Sequence, residues 1–78
     1  MRKIIEGKNY RHFKGDIVKV LYIAKDSETL EEKVVYEHNN QIWVRDMDMF
    51  ASLVDKEKYK DVKQKYRFEL QKIESKNK

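Results

Sequence analysis

Short runs in which apolar and polar residues alternate dominate the first two thirds of the chain. Residues 10–13 (YRHF), 33–38 (KVVYEH) and 42–45 (IWVR) show the two-residue period that is typical of half-buried strands. Residues 17–24 (IVKVLYIA) are the longest apolar run, which is β-branched and too short for a confident helix, so we predict a strand. Both faces of that strand are largely apolar, which indicates a central and strongly bent strand.

The connections between these strands are predicted from Gly, Asn, Asp and Ser, because the chain has two Gly and no Pro. Residues 14–16 (KGD) predict a tight turn with Gly15 at positive φ. Residues 26–32 (DSETLEE) form a polar connection that can bond to its own backbone. Asn39 and Asn40 predict a hairpin turn, because Asn tolerates the left-handed conformation.

Two helical turns are predicted after the fourth strand. Residues 46–51 (DMDMFA) indicate a single turn that Asp46 could cap, with Met49 or Phe50 covering one end of the sheet. A second turn is expected near residues 56–61.

The last third of the chain supports two alternatives. Helical spacing connects five apolar or aromatic residues, which are Tyr59, Val62, Tyr66, Leu70 and Ile73. The segment YRFEL at residues 66–70, however, alternates as a strand does. Because a barrel of four strands would leave an open edge, we predict a closing strand near residues 65–73. One helix over residues 59–73 stays open as the alternative.

These elements predict a mainly β protein, a small five-stranded antiparallel barrel or roll with a short helical turn before the last strand. We predict one domain over residues 1–78, as the length of the chain suggests. Residues 1–9 are a lead-in, in which Ile4 and Ile5 cover the open end. Residues 10–73 form the barrel, and residues 74–78 a disordered basic tail.

Composition narrows the class of protein. The chain has no Cys, so its stability must come from a compact aromatic and β-branched core or from self-association. The N-terminal residues do not form a signal-peptide core, and no segment has the roughly 20 apolar residues of a membrane helix. We therefore expect a soluble, cytoplasmic protein without a membrane partner.

The net charge of +4 lies in the last third of the chain. Residues 55–78 carry nine Lys and Arg against five Asp and Glu, whereas residues 1–54 carry nine of each. A nucleic-acid-binding barrel usually has its basic face on the barrel itself. A neutral body with a basic tail therefore favours a protein or peptide partner slightly over nucleic acid.

Several short blocks follow one another in a fixed order: YRHFKG, a V-L-x-I-A strand, SETLEEKVVY, WVR followed by MF, and the closing KQKYRFELQKI. This order of blocks resembles the bacterial domain of unknown function 1653 family. The resemblance covers residues 10–73 and implies a small SH3-like barrel and a stand-alone bacterial protein with no established activity. It also favours a strand over a helix at residues 66–70. Asp26 stands where family members often carry His, and Asp46 where they often carry Pro, so the resemblance supplies no second histidine for His12.

No residue set predicts catalysis, a metal site or a cofactor. The serines lack the context of a nucleophile elbow, and there is no Gly-rich loop to cradle a phosphate. His12 could act as a base, but such a role needs a nucleophile and a carboxylate placed around it. Two histidines without Cys do not give a metal-ligand pattern. We expect a protein that is not an enzyme and binds no cofactor.

A candidate ligand surface consists of Tyr10, His12, Trp43 and Arg45. If Ile42 and Val44 face the core, Trp43 and Arg45 face outward together. Trp and Arg are enriched where partners bind. The alternative is that Trp43 lies under the C-terminal segment while Arg45 pairs with an acidic neighbour.

The same question arises for Tyr10 and His12, whose side chains share one face. In the structural alternative, they bond to the loop that contains Ser27, Glu28 and Thr29. In the functional alternative, that loop supports an aromatic-basic groove. We therefore expect a non-catalytic binding module, a protein or peptide adaptor, with RNA or single-stranded DNA as the alternative ligand. The identity of the partner and the oligomeric state stay open.

Overall fold

The computed structural model describes residues 3–71. Five antiparallel strands form one sheet with the order β4-β3-β2-β1-β5, and a single helical turn follows the fourth strand. The elements are β1 (Asn9–His12), β2 (Ile17–Lys25), β3 (Glu32–His38), β4 (Gln41–Asp46), α1 (Met47–Phe50) and β5 (Phe68–Leu70). The mainly β prediction is thus confirmed, and β1 to β4 lie at the four segments that were predicted as strands.

A β-bulge in β2 explains why both faces of this strand look apolar in the sequence. Val20 pairs with Tyr36 and Tyr22 pairs with Val35, so the register shifts at the residue between them. One extra residue reverses the alternation and increases the local twist. Before the bulge, Val18 and Val20 enter the core, and after it Ile23 is the residue that packs there.

The core is a cluster of aromatic rings under the sheet. Phe50 from α1 and Phe68 from β5 stack with their centroids 4.0 Å apart and their planes at 5°. Tyr36 contacts both rings, and Tyr10 meets Phe50 edge to face at 5.7 Å. The buried residues of this cluster are Ile4, Tyr10, Val18, Val20, Val34, Tyr36, Phe50 and Phe68. Two segments distant in sequence are therefore joined by one ring stack.

The predicted closed barrel is wrong, because β4 and β5 lie at opposite edges of the sheet. β5 has three residues and pairs with β1, with Phe68 opposite His12. β5 extends the sheet beyond β1 and forms no ladder with β4 within the described residues. The alternative of one helix over residues 59–73 is also wrong for the part that the structure describes, and Ile73 and the predicted tail lie outside it.

Both predicted helical turns are smaller than expected or absent. α1 spans four residues, and Asp46 makes no side-chain capping hydrogen bond. Asp46 forms an ion pair with Lys33 instead. At residues 56–61 the chain forms turns and no helix. Of the two residues predicted to cover the sheet end, Phe50 is buried and Met49 is exposed.

The predicted turn positions agree with the structure. Gly15 has φ +110°, and Asn39 and Asn40 have φ +54° and +63°. The two Asn residues connect β3 to β4 with His38 opposite Gln41, which is a two-residue hairpin of the type that needs positive φ at both positions. Leu30 also has positive φ (+65°), which the sequence does not signal.

Within residues 3–71, no helix has the length and apolar character that crossing a membrane requires.

Candidate functional site

The β3–β4 hairpin decides which residues of β4 face inward. Trp43 pairs with Tyr36 and Arg45 pairs with Val34, so Trp43 and Arg45 lie on the core side of the sheet. Ile42 and Val44 lie on the opposite side and are about 60% exposed. The orientation expected for β4 is therefore wrong. Since a shift of one residue exchanges the two faces of a strand, the turn at Asn39 and Asn40 fixes this outcome.

Two members of the predicted surface, His12 and Arg45, are brought together. Both residues line the same two small cavities. These cavities lie under the sheet, near the end of β1 and near Arg45 on β4. Tyr10 does not join them, because its side chain is 1% exposed and lies in the core. Its hydroxyl accepts a hydrogen bond from the Ile5 amide at 2.9 Å.

The loop with Ser27, Glu28 and Thr29 lies far from His12. Arg11, the neighbour of His12, pairs with Ile17 at the start of β2, whereas the loop follows the end of β2 at Lys25. At about 3.3 Å per residue, these two ends are roughly 25 Å apart. The loop is organised by Asp26, whose carboxylate accepts hydrogen bonds from the amides of Glu28 and Thr29. These bonds lower the pKa of Asp26.

His12 is held in one tautomer. Its Nδ1 accepts a hydrogen bond from the Lys14 amide at 3.1 Å, so in the neutral ring the proton is on Nε2. Partial burial lowers the pKa of His12, and the positive charge of Arg45 lowers it further. The opposing effect of Asp16 is smaller than either. At neutral pH His12 is therefore an uncharged hydrogen-bond donor through Nε2.

Arg45 lies over the core ring stack. Its guanidinium carbon is 5.6 Å from the centroid of Phe68, a cation–π distance. Its Nε is buried, and no hydrogen-bond acceptor for it is found among residues 3–71. A buried donor without an acceptor is uncommon in folded proteins, so the Arg45 Nε–H is a donor that the described residues leave unused.

The larger of the two cavities next to His12 has a volume of about 340 Å³ and is called the basic pocket here. This volume is at the lower end of the range for ligand sites. It is lined by residues from β1, the following turn, β4 and the loop before β5, namely His12, Phe13, Lys14, Arg45, Asp55, Lys58, Tyr59 and Arg67. Four side chains with permanent positive charge thus face one carboxylate.

Two aromatic rings form a wall of the basic pocket. Phe13 and Tyr59 lie with their centroids 4.9 Å apart. The Lys14 ammonium is within 6 Å of both rings, and the Lys58 ammonium is 5.5 Å from Tyr59. Asp55 uses one carboxylate oxygen to accept the amides of Glu57 and Lys58. The positive charge of the pocket is therefore only partly balanced from within.

Trp43 is separate from the basic pocket. Its indole is 46% exposed, and its Nε1 donates a hydrogen bond to the His38 carbonyl at 3.2 Å. The sequence left open whether Trp43 is accessible or lies under the C-terminal segment, and the structure shows it partly exposed. Trp43 is not among the residues that line the pocket with Arg45.

Six residues of the basic pocket were missed in the sequence, namely Phe13, Lys14, Asp55, Lys58, Tyr59 and Arg67. The excess of Lys and Arg after residue 54 was the one signal that pointed to two of them. Their convergence depends on backbone contacts between distant segments. The Phe13 amide donates to the Arg67 carbonyl at 2.9 Å, and the Arg67 amide donates to the Ser52 carbonyl.

A second and larger cavity of about 600 Å³ lies near the N-terminal segment. Its walls include Ile4, Ile5, Ile23 and Met47. The carboxylate of Glu6 lines it as well but already accepts the Ile23 amide at 2.8 Å. Lys3 and Glu32 also line this cavity, but they are of opposite charge and no aromatic ring within residues 3–71 lines the cavity with them, so it is the weaker candidate. Across the described residues, no cluster of His, Asp and Glu could hold a metal ion.

Comparison with known families gives a match over residues 8–70. The description of that family is "Protein of unknown function (DUF1653)". No curated protein and no solved structure match the chain.

Proposed function

The chain belongs to the family described as a protein of unknown function (DUF1653), and we propose that it is a non-catalytic module that binds single-stranded nucleic acid in the basic pocket. The observation that carries this proposal is the group of four cationic side chains around two aromatic rings in the basic pocket. We propose further that the sheet, open between β4 and β5, is an SH3-like roll. We also propose that the protein acts in the cytoplasm of a bacterium.

The preference for a protein partner was based on a neutral body and a basic tail in the sequence, but folding places the charges differently. Residues 1–54 are neutral as a sequence, but the loop before β5 brings Lys58 and Arg67 next to Lys14 and Arg45. Phosphates are neutralised by such clusters, which releases counterions. Bases can stack on Tyr59 at the pocket wall, and such contacts are worth roughly 1–3 kcal/mol per base.

The basic pocket offers two kinds of donor to a phosphodiester. Lys14, Lys58 and Arg67 supply charge, while neutral His12 supplies a directed Nε2–H. Arg45 contributes a guanidinium whose Nε lacks an acceptor within residues 3–71. An extended single strand is favoured over a duplex because the pocket is small and concave.

The test is a titration of short fluorescent oligouridine and oligothymidine with the full chain at several salt concentrations. Each neutralised phosphate of a single strand contributes about −0.7 to the slope of log K against log salt, so four contacts give about −3. Lys58→Gln should weaken binding and reduce the steepness by about 0.7. Lys60→Gln is the matched control, because Lys60 is an exposed lysine of the same loop outside the pocket. A flat salt response, or equal effects of the two variants, would refute the proposal.

A protein or peptide adaptor is the second candidate, and the exposed indole of Trp43 is the observation that favours it. Exposed Trp residues are frequent anchors at protein interfaces. Amide chemical-shift mapping separates the two candidates. Nucleic acid should shift the amides of residues 12–14, 58–59 and 67, whereas a peptide partner should shift those near Trp43. Binding of a defined peptide that is unchanged by Trp43→Ala would refute the adaptor candidate.

A further inference from the structure

β4 is an edge strand with free backbone groups. Within the described residues it pairs with β3 on one side. In a two-residue hairpin the flanking residues, here His38 and Gln41, exchange hydrogen bonds, and such pairs alternate along the strands. The backbone groups of Ile42, Val44 and Asp46 therefore point away from β3. β4 has no Pro and no Lys, two of the devices that usually protect an edge.

An apolar row on the outer face of the sheet runs to this free edge. Tyr22 pairs with Val35 across β2 and β3, and Val35 pairs with Val44 across β3 and β4. Tyr22 is 65% exposed and Val44 is 63% exposed. Exposed apolar groups that continue to an unpaired edge are a typical feature of a surface that another strand covers.

We propose that β4 pairs antiparallel with β4 of a second copy of this chain, with Val44 on the two-fold axis. The two Val44 residues then lie opposite each other, and the apolar row continues across the junction to Val35 and Tyr22 of the second copy. The outward backbone groups of Val44 are those that this pairing uses. An interface of this kind is isologous, because the same strand serves both copies.

Charge and register select this arrangement. With Val44 on the axis, Trp43 faces Arg45 of the second copy, and the second copy's Trp43 faces Arg45 in return. Trp and Arg form favourable cation–π pairs. Ile42 faces the second copy's Asp46, so no like charges are opposed.

The neighbouring registers fit less well. A shift that puts Arg45 on the axis opposes two positive charges. A shift that puts Trp43 on the axis places Val44 opposite Ile42 of the second copy. The residue next to Ile42 on β3 is Glu37, so the apolar row would end there. In registers where the axis passes between two residues, side chains on the outer face of one copy would lie next to side chains on the core face of the other. The register with Val44 on the axis is therefore the self-complementary one.

The proposed pairing adds to the basic pocket. Arg45 lines that pocket, and the second copy's Trp43 would lie beside it on the same side of the sheet. The exposed indole would thus become a wall of the partner's ligand site. The pairing does not depend on what the pocket binds, because it rests on β4 and the outer face alone.

Sedimentation equilibrium of the full chain over a wide concentration range tests the pairing. The wild type should reach the mass of two 9.6 kDa chains, and Val44→Lys should remain a monomer with an unchanged circular dichroism spectrum. Tyr22→Lys is the matched control, because it removes a similarly exposed apolar group two strands from the edge. It should leave the dimer largely intact. A wild-type monomer at the highest concentration, or dissociation of the dimer by both variants alike, would overturn the proposal.

Disulfide trapping tests the register, since the chain has no Cys of its own. Opposed residues in a hydrogen-bonded pair have Cα atoms about 5.5 Å apart, which suits a disulfide. Val44→Cys should therefore form a covalent dimer under mild oxidation. Ile42 is as exposed as Val44, but the two copies of residue 42 would be roughly 13 Å apart. Ile42→Cys should therefore not form a covalent dimer. Equal trapping of both variants, or of neither, would contradict the register.

Discussion

Replacing Phe68 by Ala tests whether the ring stack under the sheet holds the last strand in place. Phe68 is 2% exposed, stacks on Phe50 at 4.0 Å and meets the ring of His12 at 4.8 Å. Phe→Ala changes in a core cost about 3–5 kcal/mol. A chain of this length has a total stability of about 4–12 kcal/mol, so the variant should lose about a quarter of it or more.

Urea denaturation followed by far-ultraviolet circular dichroism measures this loss. Leu70→Ala is the control, because Leu70 lies on the same strand but is 45% exposed, and its effect should stay within about 1 kcal/mol. If Phe68→Ala does not fold, Phe68→Leu keeps most of the volume and should cost about 1–1.5 kcal/mol. A loss below about 1.5 kcal/mol for Phe68→Ala, or an equal loss for Leu70→Ala, would show that the stack does not hold β5.

Three further predictions concern pH, the hairpin and the loop before β5. Burial, and after it the charge of Arg45, lower the pKa of His12 in the folded state below its value of 6.5 in the unfolded chain. Uncharged His12 therefore contributes its full stability above pH 6.5, and this contribution is lost as the pH falls through the pKa of the folded state. Urea midpoints of the wild type should therefore fall relative to those of His12→Asn between about pH 7.5 and about pH 5, and a constant difference would contradict this. Asn40→Val should lower the free energy of unfolding by about 1–2 kcal/mol while Asn40→Gly should not, because a branched side chain resists positive φ; equal urea midpoints would argue against the hairpin geometry. The Gln64 side-chain amide donates to the Arg11 carbonyl at 2.8 Å, so Gln64→Ala should cost about 1 kcal/mol in the same assay and speed hydrogen exchange in the loop. An unchanged exchange rate would show that this bond is not needed there.

The strands and most turns could be predicted because their signals are local. Alternation of side chains reports which residues are extended, and Gly15, Asn39 and Asn40 mark positions where the backbone needs positive φ. These preferences act within a few residues, so a sequence read along its length contains them. The two apolar faces of β2 predicted a central, strongly bent strand, and the structure shows that a bulge between Val20 and Tyr22 produces them.

The face that each strand presents could not be predicted for β4. Ile42 and Val44 have the more apolar side chains by type, yet the hairpin register places Trp43 and Arg45 opposite the buried Tyr36 and Val34. The turn sets the register and the register sets the face. Arg45 is accommodated on the inner side because its guanidinium packs over Phe68, a contact between residues 23 positions apart.

By itself, the sequence determined that this protein is mainly β, where its strands lie and which residues turn the chain, because these depend on short-range preferences. The tertiary structure decided that the sheet stays open between β4 and β5, that Tyr10 is buried, and that Lys58 and Arg67 join Lys14 and Arg45 in one pocket. Those outcomes depend on which distant segments pack together. That choice is made by the fit of the aromatic core, centred on the stack of Phe50 and Phe68, and no local pattern encodes it.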